Sequence, residues 1–217
     1  MTIQHGCLTS PLIEIAFADT PLVMLRINAP ECAATAWEMQ PLASFQTWLD
    51  DLNPMVLPQA RVMLRSEVVN EATAHFCQQA GMADCPEHGM LAGDIAALAH
   101  IFSDIASSEY LRVRLSVFDD HQDVLLQVQE KDKRPVCVYR GQERVIGQVA
   151  IAVVPDVSIS NCGLCLRWEG RPNKFQRNIL CCNAISSPSA SQTSLVLTLD
   201  PVSTTEETPD LKAETYH

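Results

Sequence analysis

Between Asp94 and Gly141 the hydrophobic pattern changes period, from that of a helix to that of a strand, and few architectures accommodate the change. Ile95, Leu98, Ala99, Phe102 and Ile105 recur at helical spacing and so share one face. Leu111, Val113, Leu115 and Val117 then alternate with Arg112, Arg114 and Ser116, as on a half-buried strand. A polar break at Asp119–Asp123 separates these from a second strand, Val124 to Gln129. There Leu125, Gln127 and Gln129 share the face opposite Val124, Leu126 and Val128. A polar turn and a third strand lead to Gly141. Polar side chains two apart on one strand face are where a site is expected.

The rest of the chain fits around this stretch. Leu12–Phe17 and Leu22–Ile27, separated by Ala18-Asp19-Thr20-Pro21, read as a hairpin or a pair of edge strands. Pro30 breaks the chain. Leu42, Phe45, Leu49 and Leu52 fall on one helical face flanked by Trp37 and Trp48, and Asn53-Pro54 stops that helix. Arg61–Arg65 reads as a short strand. Ser66 caps a helix through Ala80 with Val69, Ala72 and Phe76 inward, and Gly81 closes it. Met82–Gly89, with Cys85, Pro86 and His88, reads as a loop. After Gly141, Val145–Val154, Ile159–Trp168, Asn178–Cys182 and Ser194–Leu199 read as strands. Helices before strands, rather than alternating with them, indicate an α+β fold. The expectation is one domain over 1–201, helix-rich over 1–110 and β-rich over 111–201. The polar, acidic tail 202–217 is expected to be disordered. No internal repeat is evident.

The net charge of −11 and pI near 4.9 repel phosphate backbones, and no basic cluster rises above them. Nucleic acid and anionic membrane surfaces are therefore not expected partners, which leaves a small molecule or another protein. No apolar run approaches a membrane span, and the first residues lack the basic start and cleavage site of a secretory signal. A cytoplasmic address is the expectation. In that compartment the nine cysteines would be buried thiols or metal ligands rather than disulfides.

Cys162-Gly163-Leu164-Cys165 followed by Cys181-Cys182 is the most metal-like arrangement, since four thiolates can close a tetrahedron on zinc. Against it, adjacent cysteines on a strand point to opposite faces, and the plainer account is small apolar residues in a β core. His75, Cys77, Cys85 and His88 form a looser group, but His75 and Cys77 face apart on a helix; a surface histidine and a buried thiol is the plainer account. His121 beside Asp119, Asp120 and Asp123 has the look of a solvated hairpin tip. Trp37, Trp48 and Trp168 are expected in the core or at its rim. Phosphate-binding, dinucleotide-binding, nucleophile-elbow and zinc-protease motifs do not occur in the sequence.

Several phrases in collinear order resemble a bacterial family known as domain of unknown function 1826. They are Ala36-Trp37-Glu38 with PLASFQTWLDDL, then LAGDIAALAHIFSDIASSEYLRVRLSVFDD, then Val138-Tyr139-Arg140-Gly141, and finally LVLTLDPV over Leu195 to Val202. The resemblance implies a motif like Phe-His-x-Asp, a later histidine and a late arginine. Those residues are similar to the facial triad and co-substrate anchor of 2-oxoglutarate-dependent iron oxygenases, and imply a double-stranded β-helix of cupin or jelly-roll type. At the matching positions this chain has Leu126-Gln127-Val128-Gln129, Cys181 or Cys182, and Ser194, while Arg134 and Tyr139 persist. Neutral amides are weak iron ligands, and serine cannot form a bidentate pair with a carboxylate. The resemblance therefore implies a vestigial pocket of Gln127, Gln129, Arg134, Tyr139 and Ser194 that binds or regulates without catalysis, and no cofactor. Two alternatives stay open. One is an oxygenase with an unconventional site, with Cys181 or Cys182 as ligand to iron or zinc. The other is structural zinc held by Cys162, Cys165, Cys181 and Cys182.

Overall fold

A computed structural model describes residues 14–29, 32–118, 134–141, 144–149, 153–159, 163–167, 179–183 and 193–202. Its first half runs β1 (Glu14–Ala18), a 3-10 helix (Pro21–Asn28), β2 (Cys32–Glu38), α1 (Ala43–Asp51), β3 (Ala60–Arg65), α2 (Val69–Gln79) and α3 (Pro86–Ala106). Strands follow: β4 (Tyr110–Phe118), β5 (Arg134–Arg140), β6 (Arg144–Val149), β7 (Val153–Ile159), β8 (Gly163–Arg167), β9 (Ile179–Asn183) and β10 (Ser194–Pro201). The fold is α+β, as the order of patterns in the sequence implies. Seven strands form one sheet in the order β1-β2-β8-β5-β10-β4-β3, and three form another in the order β7-β6-β9. Every described pairing is antiparallel except that of β1 with β2.

The helices cover one face of the large sheet. Along β4 the odd residues Leu111, Val113 and Leu115 are buried and join the main core, while Arg112 and Arg114 are half-buried on the other face. On β10, Leu195, Leu197 and Leu199 turn to the same core, and on β5 Cys137 and Tyr139 do so. The opposite face carries its own small cluster of Val136, Val138 and Val196, with Phe118 packed against it. α3 seats on α2, β4 and β10 through Leu91, Ile95, Leu98, Phe102 and Ile105. It is long and apolar enough to cross a membrane by length and composition, but Leu91, Ile95, Leu98 and Phe102 are at most 1% exposed within the core.

Several local expectations change. Leu22–Ile27 is not a strand: Thr20 and Pro21 open a 3-10 helix, and Val23, Met24 and Ile27 become its buried side. The partner of β1 is instead β2, whose small residues Ala33, Ala34 and Ala36 gave no strand signal. Ser66 opens a 3-10 turn rather than capping α2, which buries Val69, Thr73 and Cys77. Ala72 and Phe76 are half-buried. Met82–Gly89 is not all loop, because Pro86 occupies the first turn of α3, where its missing N–H costs nothing. Val145–Val154 is divided between β6 and β7, which pair with a register shift at Ile146/Gly147. Of the tail 202–217, expected to be disordered, Val202 is described, its N–H donating to the Tyr110 carbonyl, and 203–217 lie outside the described residues.

Both long helices end in left-handed caps. After α2, Gly81 adopts φ +86°, and the Met82 and Gly81 amides donate to the carbonyls of Cys77 and Gln78. After α3 the same pair of bonds forms from Ser108 to Ser103 and from Ser107 to Asp104. There the left-handed residue is Ser107, at φ 51°, which carries a Cβ that this conformation disfavours. Ser107→Gly should therefore stabilise the protein by about 0.5–1 kcal/mol in urea denaturation. A loss of stability would show that the serine side chain matters more than its backbone strain.

Candidate functional site

Where α1, α3 and β5 meet, the helical face of the large sheet leaves a cavity of about 620 Å³. Its wall is built from Trp37 at the end of β2, Met39 to Leu42 in the connection to α1, Phe45 on α1, Met90, Gly93 and Asp94 on α3, and Tyr139 on β5, with Asp19 at one side. Each position follows from a local constraint. Leu42 enters α1 in extended conformation, and Phe45 and Leu49 turn inward from it. The Trp37 indole N–H donates to the Asp19 carbonyl at 3.3 Å, which fixes the ring. On β5 the side-chain alternation sends Tyr139 toward the helices, where it is 1% exposed.

The cavity holds one strong polar pair. The Tyr139 hydroxyl donates to Asp94 Oδ2 at 2.6 Å. Behind it, Gln46 Nε2 donates to the Tyr139 carbonyl at 3.3 Å and to Asp50 Oδ1 at 3.0 Å, tying α1 to β5. Next along the strand, Arg140 Nη1 donates to the Leu52 carbonyl at 2.7 Å. Burial holds the Asp94 carboxyl above the usual carboxylate range, and the Tyr139 hydrogen bond opposes that only in part. A carboxyl that resists ionisation in the folded state binds its proton more tightly there than when unfolded. Its contribution to stability is therefore lost as pH rises from about 4 through the folded value. Asp94→Asn removes that dependence. Between pH 4 and 7 the urea midpoint of the variant should gain on wild type, and a widening gap in favour of wild type would contradict the assignment.

Of the five residues of the expected pocket, the structure describes the side chains of Tyr139 and Ser194, and these lie on opposite faces of the sheet. Tyr139 faces the helical cavity. Ser194 is 2% exposed and pairs with Phe118, on the side of Val138 and Val196, the opposite face of the sheet. Its hydroxyl sits against Gly141. Arg134 opens β5 opposite Arg167. Gln127 and Gln129 lie outside the described residues. Of the four cysteines, Cys165 is on β8 in the large sheet, Cys181 and Cys182 are on β9 in the small one, and Cys162 lies outside the described residues.

Among the described residues no group of three or more His, Cys, Asp or Glu side chains could hold a metal ion. Within the looser group, His75 is exposed and Cys77 buried, as the plainer account has it, and His88 is buried too. It is 3% exposed on α3, and its Nε2 has no hydrogen-bond partner among the described residues. Burial also pushes the Cys77 thiol up to about 11, which keeps it protonated and a poor ligand.

Sequence reasoning missed Asp94 as a site residue, although a signal was present. It sits three residues after Leu91 and four before Leu98, an acid beside the buried stripe of an otherwise apolar helix.

Comparison with known proteins agrees with the resemblance. No protein of curated function matches the chain. Among solved structures, a bsmA homolog from Methylobium petroleophilum PM1 is similar at 13% identity, over 85% of this chain and 93% of that one, with a TM-score of 0.37. Residues 18–144 match the family model described as protein of unknown function DUF1826. That match spans more than half of the 217 residues, and the chain belongs to this family.

Proposed function

We propose that this protein is a non-catalytic, small-molecule-binding member of its family, on a scaffold of the oxygenase type. The observation that carries the binding role is the cavity of about 620 Å³ with its part-buried Tyr139–Asp94 pair. Ligand sites have this character: largely apolar walls with a few fixed polar groups. Strand order supports the scaffold. A double-stranded β-helix winds eight strands so that the first, eighth, third and sixth share one sheet, and the fifth, fourth, seventh and second share the other. The orders β4-β10-β5-β8 and β7-β6-β9 suit that winding.

On such a scaffold the donor set does not suit iron(II) and a 2-oxo acid. Gln127 and Gln129 are neutral amides, and the buried hydroxyl of Ser194 stands where a guanidinium would be needed. No reaction is assigned to that face. A cytoplasmic setting, which keeps thiols reduced, belongs to the same reading. The test is elemental analysis of protein purified without chelator, together with an assay of 2-oxoglutarate consumption. Sub-stoichiometric metal and no turnover are expected. Stoichiometric iron with turnover would overturn the proposal in favour of an unconventional oxygenase site.

A further inference from the structure

We infer that the cavity between α1, α3 and β5 takes an organic ammonium cation. This deepens the binding role proposed above by naming the class of ligand. Among the described residues that line the cavity, the aromatic rings are Trp37, Phe45 and Tyr139, the thioethers are Met39 and Met90, and the ionisable carboxyls are Asp19 and Asp94. Lysine, arginine and histidine are missing from the same lining.

Each feature removes an alternative. An anion would meet the Asp94 carboxylate and, among the described lining residues, no cation. A hard metal ion needs a full shell of oxygens, and the aromatic carbons and thioethers of this wall supply none. A purely apolar guest fits the walls but would cover the half-buried Asp94 carboxylate without a counter-charge, which is costly. A cationic nitrogen offsets that cost, and its alkyl groups lie against the electron-rich ring faces. The Trp37 N–H is already committed to the Asp19 carbonyl, so that ring has no donor left to bind an acceptor group. Tyr139 likewise spends its proton on Asp94 and leaves the site acceptor-rich. The net charge of −11 draws cations toward the protein from a distance.

The experiment uses the full chain and two probes of nearly equal shape, benzyltrimethylammonium and its neutral carbon isostere neopentylbenzene, followed by calorimetry and tryptophan fluorescence at low salt. The ammonium probe should bind at least tenfold tighter. Asp94→Asn should remove that advantage and leave neopentylbenzene unchanged. Met90→Lys tests the same point without touching the part-buried pair, because Met90 is 40% exposed at the cavity wall. A lysine there should weaken the ammonium probe several-fold and spare the neutral one. Equal binding of the two probes would overturn the cation inference and leave the small-molecule role standing. Failure of both to bind would overturn the inference and remove the support for that role as well.

Discussion

Alanine at position 102 should destabilise the protein by about 3–5 kcal/mol, the usual cost of emptying a large aromatic site in a core. Phe102 is among the largest fully buried side chains, with 0% exposure. It projects from the C-terminal part of α3, the helix that seats on α2, β4 and β10. Ile95, Leu98 and Ile105 hold the same helix face in place, and the sheet below is paired on both sides of β10. Little can therefore move into the space left by the ring, and a void that does not collapse costs more than the lost transfer energy alone. Urea denaturation followed by circular dichroism measures the change. A loss under about 1 kcal/mol would mean that α3 is not seated as described.

Gly141→Ala should cost about 3 kcal/mol, for two separable reasons. Gly141 ends β5 at φ +129°, a region open to glycine and closed to residues with a Cβ. An added Cβ would also run into the Ser194 hydroxyl, with the Ser194 Cβ at 3.0 Å and its Cα at 3.3 Å. Because part of that obstacle is backbone of the central strand, rotation of the serine cannot relieve it. Ser194→Gly in the Gly141→Ala background should recover the side-chain part and leave the backbone strain. A double-mutant cycle should then give a coupling of at least about 1 kcal/mol. Zero coupling would place the whole cost in the backbone and deny the close approach of Gly141 to β10.

These two positions also mark what the sequence made legible. Phe102 was readable because helical periodicity is a local property, and the pattern from Ile95 to Ile105 is buried as the spacing implies. The alternation on β4 was readable for the same reason. Gly141 was visible as the end of a strand, but its nearness to Ser194 depends on a pairing across more than fifty residues that no local pattern encodes. β2 escaped because its alanines carry neither branching nor alternation, and its strand character comes from lying between β1 and β8. The site followed the same rule. Tyr139 stood out in the sequence and lines the cavity, but its partner Asp94 and its wall of Trp37 and Phe45 come from three separate elements. The face that Tyr139 occupies, away from Ser194, is fixed by sheet register alone.

The position of β10 has a consequence for biosynthesis. It lies between β5 and β4, yet it is translated after every strand it joins. Until residue 194 emerges from the ribosome, the β3–β4 pair and the β1-β2-β8-β5 group each present a raw edge toward the gap that β10 will fill. Such edges invite pairing with neighbouring nascent chains. Premature termination or slow decoding just upstream of Ser194 should therefore yield insoluble product, and overexpression yield should respond to holdase chaperones that shield unpaired strands.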